Sequence, residues 1–137
     1  MQGSGQPGLV DLLIESDGYY TVVEFKNIPI EFLDLNGNSR TDKAEQLVAM
    51  TLPQILKLAI KSKFLAGTIK KWLEKDIYQQ LRSHVTGATV RSGGADKIFR
   101  AYAVVIIGSR HILIREMNRS GEWTGEGQLI NEIRGRR

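Results

Sequence analysis

Apolar residues near the amino end follow the pattern of two neighbouring strands. Residues 8–14 and 19–25 are rich in Val, Ile, Leu, Tyr and Phe, and most of these residue types are enriched in strands. The dipeptide Asp17-Gly18 lies between them and is a strong signal for a tight turn. The pattern therefore predicts a β-hairpin.

The turn fixes which residues of this hairpin face one another. With a two-residue loop, Ser16 lies opposite Tyr19, and counting back along both strands sets Asp11 opposite Glu24. A four-residue loop centred on the same point gives the same register. Directly opposed side chains share one face of a sheet, with Cβ atoms about 4.5 to 5.5 Å apart.

Two carboxylates in opposed positions repel each other. At about 4 Å the repulsion is roughly 4 kcal/mol for an effective dielectric constant of about 20. Asp11 and Glu24 must therefore be protonated, be neutralised by a cation, or not form a pair at all. Lys26 falls on the face of Glu24, about 6.6 Å along the strand, so one face is predicted to present two acids and a lysine.

The centre of the chain has the spacing of apolar residues that is typical of helices. Asp42 and Glu45 resemble a capping box at the start of the first helix. Pro53 either kinks that helix or lies in the first turn of a second one. The apolar positions of this segment are Ala44, Leu47, Val48, Thr51, Ile55, Leu58 and Ala59.

A further helix is predicted over residues 68–82, because apolar residues recur there on one side. Residues 85–97 are predicted to be a loop, since Gly87 and Ser92-Gly93-Gly94 interrupt the pattern. The apolar residues of the predicted helix are Ile69, Trp72, Leu73, Ile77 and Leu81.

The last third of the chain contains a second pair of predicted strands. Residues 101–107 are continuously apolar, which predicts an interior strand with both faces covered. Gly108-Ser109 joins them to residues 112–114 in a second hairpin. Further on, a short docking helix is expected to contain Leu129, Ile130 and Ile133.

Composition restricts the class of protein. The chain has 137 residues, of which 42% are hydrophobic and 25% charged, as expected for one soluble globular domain. No run is long enough to span a bilayer and no signal peptide is evident, so we expect an intracellular protein, cytoplasmic or nuclear, without a membrane partner. The absence of cysteine excludes disulfides, thiolate metal sites and a cysteine nucleophile.

The predicted domain occupies residues 8–133, between a linker or expression-vector remnant at 1–7 and a basic tail at 134–137. A net charge of +4 and a pI of about 9.5 are compatible with a polyanionic partner. Lysines in the central helical region form either a nucleic-acid-binding surface or solvated helix faces. The lysines assigned to nucleic-acid binding are Lys57, Lys61, Lys63, Lys70 and Lys71.

The segments Gly8-Leu-Val-Asp11 and Val22-Val-Glu24-Phe25-Lys26 resemble the signature of the PD-(D/E)XK nuclease superfamily, with its acid, acid and lysine at Asp11, Glu24 and Lys26. The chain is most similar to the branch found fused to AAA-type ATPase-like domains. In that branch an Asp strand, a Glu-x-Lys strand, a helix with a Gln and a late hydrophobic hairpin follow in this order. Gln54 falls where the helix Gln would lie, and the resemblance covers residues 8–115.

The resemblance implies an α/β fold with a restriction-endonuclease-like core, in which helices flank a central mixed sheet of about four strands. It also implies a metal-dependent nuclease that hydrolyses phosphodiester bonds of DNA. Asp11 and Glu24, with the backbone carbonyl of Phe25 as a third ligand, would hold Mg²⁺ or Mn²⁺. Lys26 would orient or deprotonate the attacking water, and Gln54 would position that water or the Lys26 ammonium.

Other interpretations of the same residues stay open. The superfamily usually carries a further Glu on a helix before the Asp strand, and no residue of this sequence matches it. Glu24 and Lys26 can instead form a solvated or structural ion pair on an edge strand, with Asp11 as a turn former at the end of its strand. The chain can also be a catalytically silent nucleic-acid-binding or protein-docking module, or a Holliday-junction resolvase acting as a homodimer. Gln54 alone is an ordinary helix residue, and His84 and His111 are expected at the surface or in loops.

Overall fold

A computed structural model of the chain describes residues 10–16, 18–61, 67–92 and 98–130. The predicted linker at residues 1–7 and the basic tail at 134–137 lie outside these ranges. The elements follow one another in the order β1 (Val10–Ser16), β2 (Tyr19–Ile28), a 3₁₀ turn (Ile30–Phe32), α1 (Arg40–Val48), α2 (Leu52–Leu56), α3 (Ile69–Trp72), a π-helical turn (Leu73–Ile77), α4 (Tyr78–Ser92), β3 (Ile98–Ile107), β4 (His111–Met117) and β5 (Gln128–Ile130).

In the described residues, the strands form one five-stranded sheet in the order β1-β2-β3-β4-β5. Strands β2 and β3 run parallel, and the other neighbours are antiparallel. A parallel pair needs a crossover connection, and the helices α1 to α4 lie in the chain between β2 and β3. The predicted α/β class with a mixed sheet is confirmed, and β5 makes the sheet larger than expected.

The first hairpin has the predicted register. Ser16 pairs with Tyr19, and Asp11 pairs with Glu24. Gly18 in the turn has a φ of 81°, a left-handed conformation that glycine adopts without strain. The register follows from local turn chemistry, because the side-chain period of two leaves no freedom once the turn is fixed.

The second hairpin is also confirmed. Its turn contains Gly108 and Ser109 at φ of 59° and 60°, and Arg110 N donates to Ile107 O at 3.0 Å. Positive φ at both central positions is the mark of the type I′ turn, whose twist matches that of paired strands. Gly108 is also close to α1, since a Cβ built there would overlap Leu47 Cδ2.

Replacing Gly108 with Ala is expected to lower the free energy of unfolding by about 2 to 4 kcal/mol. About 1 to 2 kcal/mol comes from the left-handed backbone, and the remainder comes from overpacking against the buried Leu47. Gly18→Ala is the matched control, because Gly18 has positive φ but no atom within 4 Å of its built Cβ. Urea denaturation measures both variants, and equal losses would show that contact with Leu47 carries no cost.

In β3 and β4 the buried side chains lie on one face of the sheet. Along β3, every second side chain from Ala101 to Ile107 is buried and those between them are half-buried. Strand β4 has the same alternation. The expectation that residues 101–107 are covered on both faces is therefore met on one face only, within the described part of the chain.

Two separate helices replace a single kinked one at residues 40–56. Helix α1 begins after Ser39, whose hydroxyl accepts from Asp42 N, so Ser39 is the N-cap that the sequence assigned to Asp42. Helix α2 begins after Thr51 and carries Pro53 in its first turn, where the missing N–H costs no hydrogen bond. Of the two predicted arrangements, the break at Pro53 is confirmed.

The helical segment that starts after Thr68 continues through α3, the π-helical turn and α4 to Ser92. The predicted loop at residues 85–97 is therefore wrong as far as Ser92. Gly87 lies inside α4, where a glycine costs about 1 kcal/mol relative to alanine. Burial of Leu81 and Val85 on the same helix outweighs that cost, since each such side chain contributes about 1.5 to 3 kcal/mol.

Strand β5 corrects the prediction of a docking helix near the carboxyl end. Leu129 pairs with Leu113, and Ile130 pairs with Ile112. A strand forms here because the free edge of β4 offers backbone hydrogen bonds to an extended neighbour. The prediction of a helix was weak because three apolar residues are too few to define a helical period. Ile133 lies outside the described residues.

Candidate active site

Glu24 lies in the middle of β2 and its side chain is 0% exposed. Lys26, two residues along the same strand, has its Nζ 3.4 Å from Glu24 Oε2 and a side chain that is 12% exposed. A carboxylate is costly to bury unless a cation or a set of hydrogen bonds compensates it. The acid and the lysine predicted to share one face are therefore in contact on the buried face of the sheet.

His84 on α4 contacts the other oxygen of the same carboxylate. Its Nε2 lies 3.3 Å from Glu24 Oε1, and its side chain is 29% exposed. The assignment of His84 to the surface or to a loop was wrong. A signal was present in the sequence, because His84 follows Ile77 by seven positions and Leu81 by three, the spacing of one helical face. Ending the predicted helix at residue 82 concealed that signal.

His111 was also misassigned. It is 0% exposed at the start of β4, and its Nε2 lies 2.7 Å from the backbone oxygen of Leu47. Since a carbonyl only accepts, Nε2 donates this hydrogen bond and joins the end of α1 to the sheet. His111 has a structural role that its isolation in the sequence could not indicate.

Asp11 is paired with Glu24 through the backbone of β1 and β2. Its side chain lies outside the described part of the structure, so contact between the two carboxylates stays a prediction. Among the described side chains, no group of three His, Asp or Glu residues is arranged to hold a metal ion. The predicted metal pair therefore depends on the side chain of Asp11.

Phe25 lies between Glu24 and Lys26, and its side chain is 36% exposed. Alternation along the strand puts that side chain on the opposite face of the sheet from the two charged neighbours. The side chain is thus excluded from the site, whereas the predicted role of the backbone carbonyl as a metal ligand stays a prediction.

Gln54 serves the start of α2. Its Oε1 accepts from Thr51 N at 2.8 Å, while the Thr51 hydroxyl accepts from Gln54 N at 3.5 Å, which makes a reciprocal capping box. The described side-chain hydrogen bonds of the exposed Gln54 are all with Thr51. This arrangement favours the interpretation of Gln54 as an ordinary helix residue and does not bring it to Glu24 or Lys26.

Thr51→Ala and Gln54→Ala are each expected to lower the free energy of unfolding by about 0.5 to 1 kcal/mol, because each breaks the same box. The double variant should lose less than the sum, since the two residues act as a pair. Thermal or urea unfolding measures the stability of all three. Loss of DNA cleavage in Gln54→Ala, with cleavage retained in Thr51→Ala, would instead assign Gln54 to catalysis.

The predicted nucleic-acid-binding lysines come from two segments that the fold brings together. Ala59 forms a backbone bridge with Thr68, and Ile60 N donates to Gly67 O at 2.9 Å. The end of α2 therefore lies beside the start of α3. Lys63 is outside the described residues, and the exposed members are Lys57, Lys61, Lys70 and Lys71.

Arg115 is a further cation on the buried face that the sequence did not indicate. Glu24 pairs with Ala103, which in turn pairs with Arg115 on β4. The guanidinium lies 4.7 Å from the ring centre of Trp123, and Arg115 Nε donates to Gly125 O at 2.6 Å. Burial lowers the pKa of Arg115. These contacts fix the loop between β4 and β5 to the sheet.

No family model, curated protein or solved structure matched the chain. In the part of the chain that the structure describes, every helix is too short or too polar to cross a membrane.

Proposed function

We propose that the chain is a metal-dependent nuclease with a restriction-endonuclease-like core of the PD-(D/E)XK type, and that its substrate is DNA. The observation that supports this most is the state of Glu24. It is fully buried beside Lys26 on one face of β2, and Asp11 is its partner in the register of β1 and β2. A buried acid opposite a second acid needs a cation to be stable.

The residues present fit a divalent ion of the hard type. Asp11 and Glu24 would supply carboxylate oxygens and Phe25 a backbone carbonyl oxygen, the donors that Mg²⁺ and Mn²⁺ prefer. Such an ion acidifies water and stabilises negative charge on a phosphate. Its presence would also remove the repulsion between the two carboxylates.

Lys26 would act on the attacking water and the scissile phosphate as a donor. An ammonium group has three donors and no acceptor, so beside Glu24 it can orient a water and stabilise charge but cannot take up a proton. Its position on a central strand of the sheet limits its movement, and preorganised charge of this kind is a large contribution to catalysis.

The exposed lysines at the end of α2 and the start of α3 support a long polyanion as substrate. Lys70 precedes His84 by fourteen positions along α3, the π-helical turn and α4, which is on the order of 20 Å of helix. Duplex DNA of that length contains roughly six base pairs. A strand held at the lysines could therefore extend to Glu24.

Replacing Lys70 and Lys71 together with Glu is expected to weaken DNA binding by about 10- to 100-fold in dilute salt and to reduce its salt dependence. Both side chains are exposed, so the stability of the fold should hold. The double variant Lys43→Glu and Arg119→Glu is the matched control, because it makes the same change in net charge on α1 and in the loop after β4. Fluorescence anisotropy with a labelled duplex measures the affinity, and equal losses in both double variants would contradict a local binding surface.

The second candidate is a silent nucleic-acid-binding module on the same fold. The exposed lysines are separate from Glu24, so DNA can bind at the lysines without any reaction at Glu24. This separation favours the silent module. Cleavage of supercoiled plasmid DNA by the unaltered chain distinguishes the two functions. Cutting in Mg²⁺ or Mn²⁺ that stops on addition of EDTA supports the nuclease, whereas binding without cutting in either metal supports the silent module.

A further inference from the structure

We propose that His84 is a side-chain ligand of the divalent ion and makes the site select Mn²⁺ over Mg²⁺. This inference rests on the proposed function, because the ion is the one held by Asp11 and Glu24. It goes beyond that function in assigning α4 a direct part in the site and in naming the metal that the site prefers.

Two donor atoms of the site lie at a distance that suits one shared ion. His84 Nε2 lies 3.3 Å from Glu24 Oε1. Two donors bound to one ion at about 2.1 Å and at right angles are about 3 Å apart. The observed separation therefore requires only a small adjustment for both atoms to bind the same ion.

The exposure of His84 and the polar atoms near it also bear on the site. His84 is 29% exposed whereas Glu24 is 0% exposed, so the imidazole lies between the buried carboxylate and solvent. Gln80 precedes His84 by one helical turn, and positions four apart share one helix face. The buried Oε1 of Gln80 has no hydrogen-bond partner among the described residues. An ordered water, including one bound to a nearby cation, would satisfy that acceptor.

The types of donor atom in the site determine which metal it prefers. Imidazole nitrogen is a common ligand of transition metals, while Mg²⁺ takes oxygen ligands in protein sites. Mn²⁺ accepts carboxylate oxygens, and it also accepts nitrogen ligands more readily than Mg²⁺ does. A site with two carboxylates and one imidazole therefore favours Mn²⁺, whereas removal of the imidazole leaves a site that suits Mg²⁺ equally well.

The test measures metal binding and the nature of the bound atoms, apart from activity. Calorimetric titration of the full chain with Mn²⁺ and with Mg²⁺ is expected to give an affinity for Mn²⁺ at least about 10-fold higher. His84→Ala should lower the Mn²⁺ affinity by about 10- to 100-fold and the Mg²⁺ affinity by less than about 3-fold. Gln79→Ala, an exposed change on the same helix, is the matched control and should leave both affinities unchanged.

Pulsed electron paramagnetic resonance of bound Mn²⁺ supplies a direct signature. A nitrogen nucleus bound directly to Mn²⁺ modulates the electron spin echo. This modulation is expected in the unaltered chain and in Gln79→Ala, and it should be absent in His84→Ala. His84→Gln is a second variant that preserves side-chain bulk if His84→Ala proves unstable. Absence of the nitrogen signal in the unaltered chain, or equal losses of Mn²⁺ and Mg²⁺ affinity in His84→Ala, would overturn the inference.

Different results would reject the metal-binding role of His84 and the proposed nuclease function. Mn²⁺ bound through nitrogen by a chain that cuts no DNA keeps the role of His84 and rejects the nuclease. DNA cleavage with equal use of Mg²⁺ and Mn²⁺, unchanged in metal preference by His84→Ala, keeps the nuclease and rejects the role of His84.

Discussion

Glu24→Gln is expected to abolish metal-dependent DNA cleavage, with a loss of about 10³-fold or more in kcat. The amide has nearly the volume of the carboxylate but no charge, so it cannot hold a divalent ion. Glu24 is fully buried on a central strand, so we expect the amide to take the place of the carboxylate. Single-turnover cleavage of a labelled duplex at saturating metal measures the loss.

The fold should survive this change. Glu24→Gln removes the buried negative charge but leaves the Lys26 ammonium, which is 12% exposed, without its carboxylate. The free energy of unfolding is therefore expected to fall by about 2 to 3 kcal/mol. Glu15→Gln is the matched control, because Glu15 lies on β1 in the same hairpin and is exposed. Retention of cleavage by Glu24→Gln, or its loss in Glu15→Gln as well, would contradict the role given to Glu24.

Lys26→Met is expected to have the second largest effect, on both activity and stability. Cleavage should fall by about 10²- to 10³-fold, since one preorganised donor to the reacting groups is lost. The free energy of unfolding should fall by about 2 to 3 kcal/mol, because Glu24 keeps its buried charge without the ammonium 3.4 Å away. The remaining contact between His84 and Glu24 keeps this cost below that of a wholly uncompensated charge.

A double-mutant cycle separates the two consequences. Adding Glu24→Gln to Lys26→Met removes the buried charge, so the double variant should regain most of the lost stability while it stays inactive. Lys43→Met, on α1, is the control and should change neither quantity. If Lys26→Met were as stable as the unaltered chain, the ion pair would have no structural importance. If it cut DNA at the full rate, Lys26 would have no catalytic role.

The sequence was sufficient for the first hairpin and for the residues it aligns. Asp17-Gly18 determines the turn and the period of two determines the faces, so the pairing of Asp11 with Glu24 depends only on nearby residues. The same holds for the contact between Glu24 and Lys26, which lie two positions apart on one strand. Local chemistry of this kind is visible without knowledge of the tertiary structure.

The sequence was not sufficient for the contribution of α4. His84 reaches Glu24 from a helix sixty positions later in the chain, through packing of the helix on the sheet that no local pattern encodes. Gly87 suggested that the helix had ended, whereas burial of Val85 outweighs the cost of one glycine. The contact of His84 was therefore missed, because the predicted helix ended at residue 82.

Gln54 has two interpretations that the sequence left open. Its place in the order of elements suggested a catalytic role, yet its side chain closes a capping box with Thr51. Gln at the third helical position after a Thr cap is itself a recognised signal for a helix start. The capping box supports the interpretation of Gln54 as a helix residue, and its catalytic role stays a prediction.

The central claim is that Asp11 and Glu24 together hold the ion that permits phosphodiester cleavage. The most direct measurement is the rate of metal-dependent DNA cleavage by Asp11→Asn beside Asp17→Asn, which makes the same chemical change six positions away in the hairpin sequence. We expect the unaltered chain and Asp17→Asn to cut DNA at similar rates in Mn²⁺ or Mg²⁺, and Asp11→Asn to be inactive. Equal cleavage by Asp11→Asn and the unaltered chain, or no cleavage by the unaltered chain in either metal, would contradict the claim.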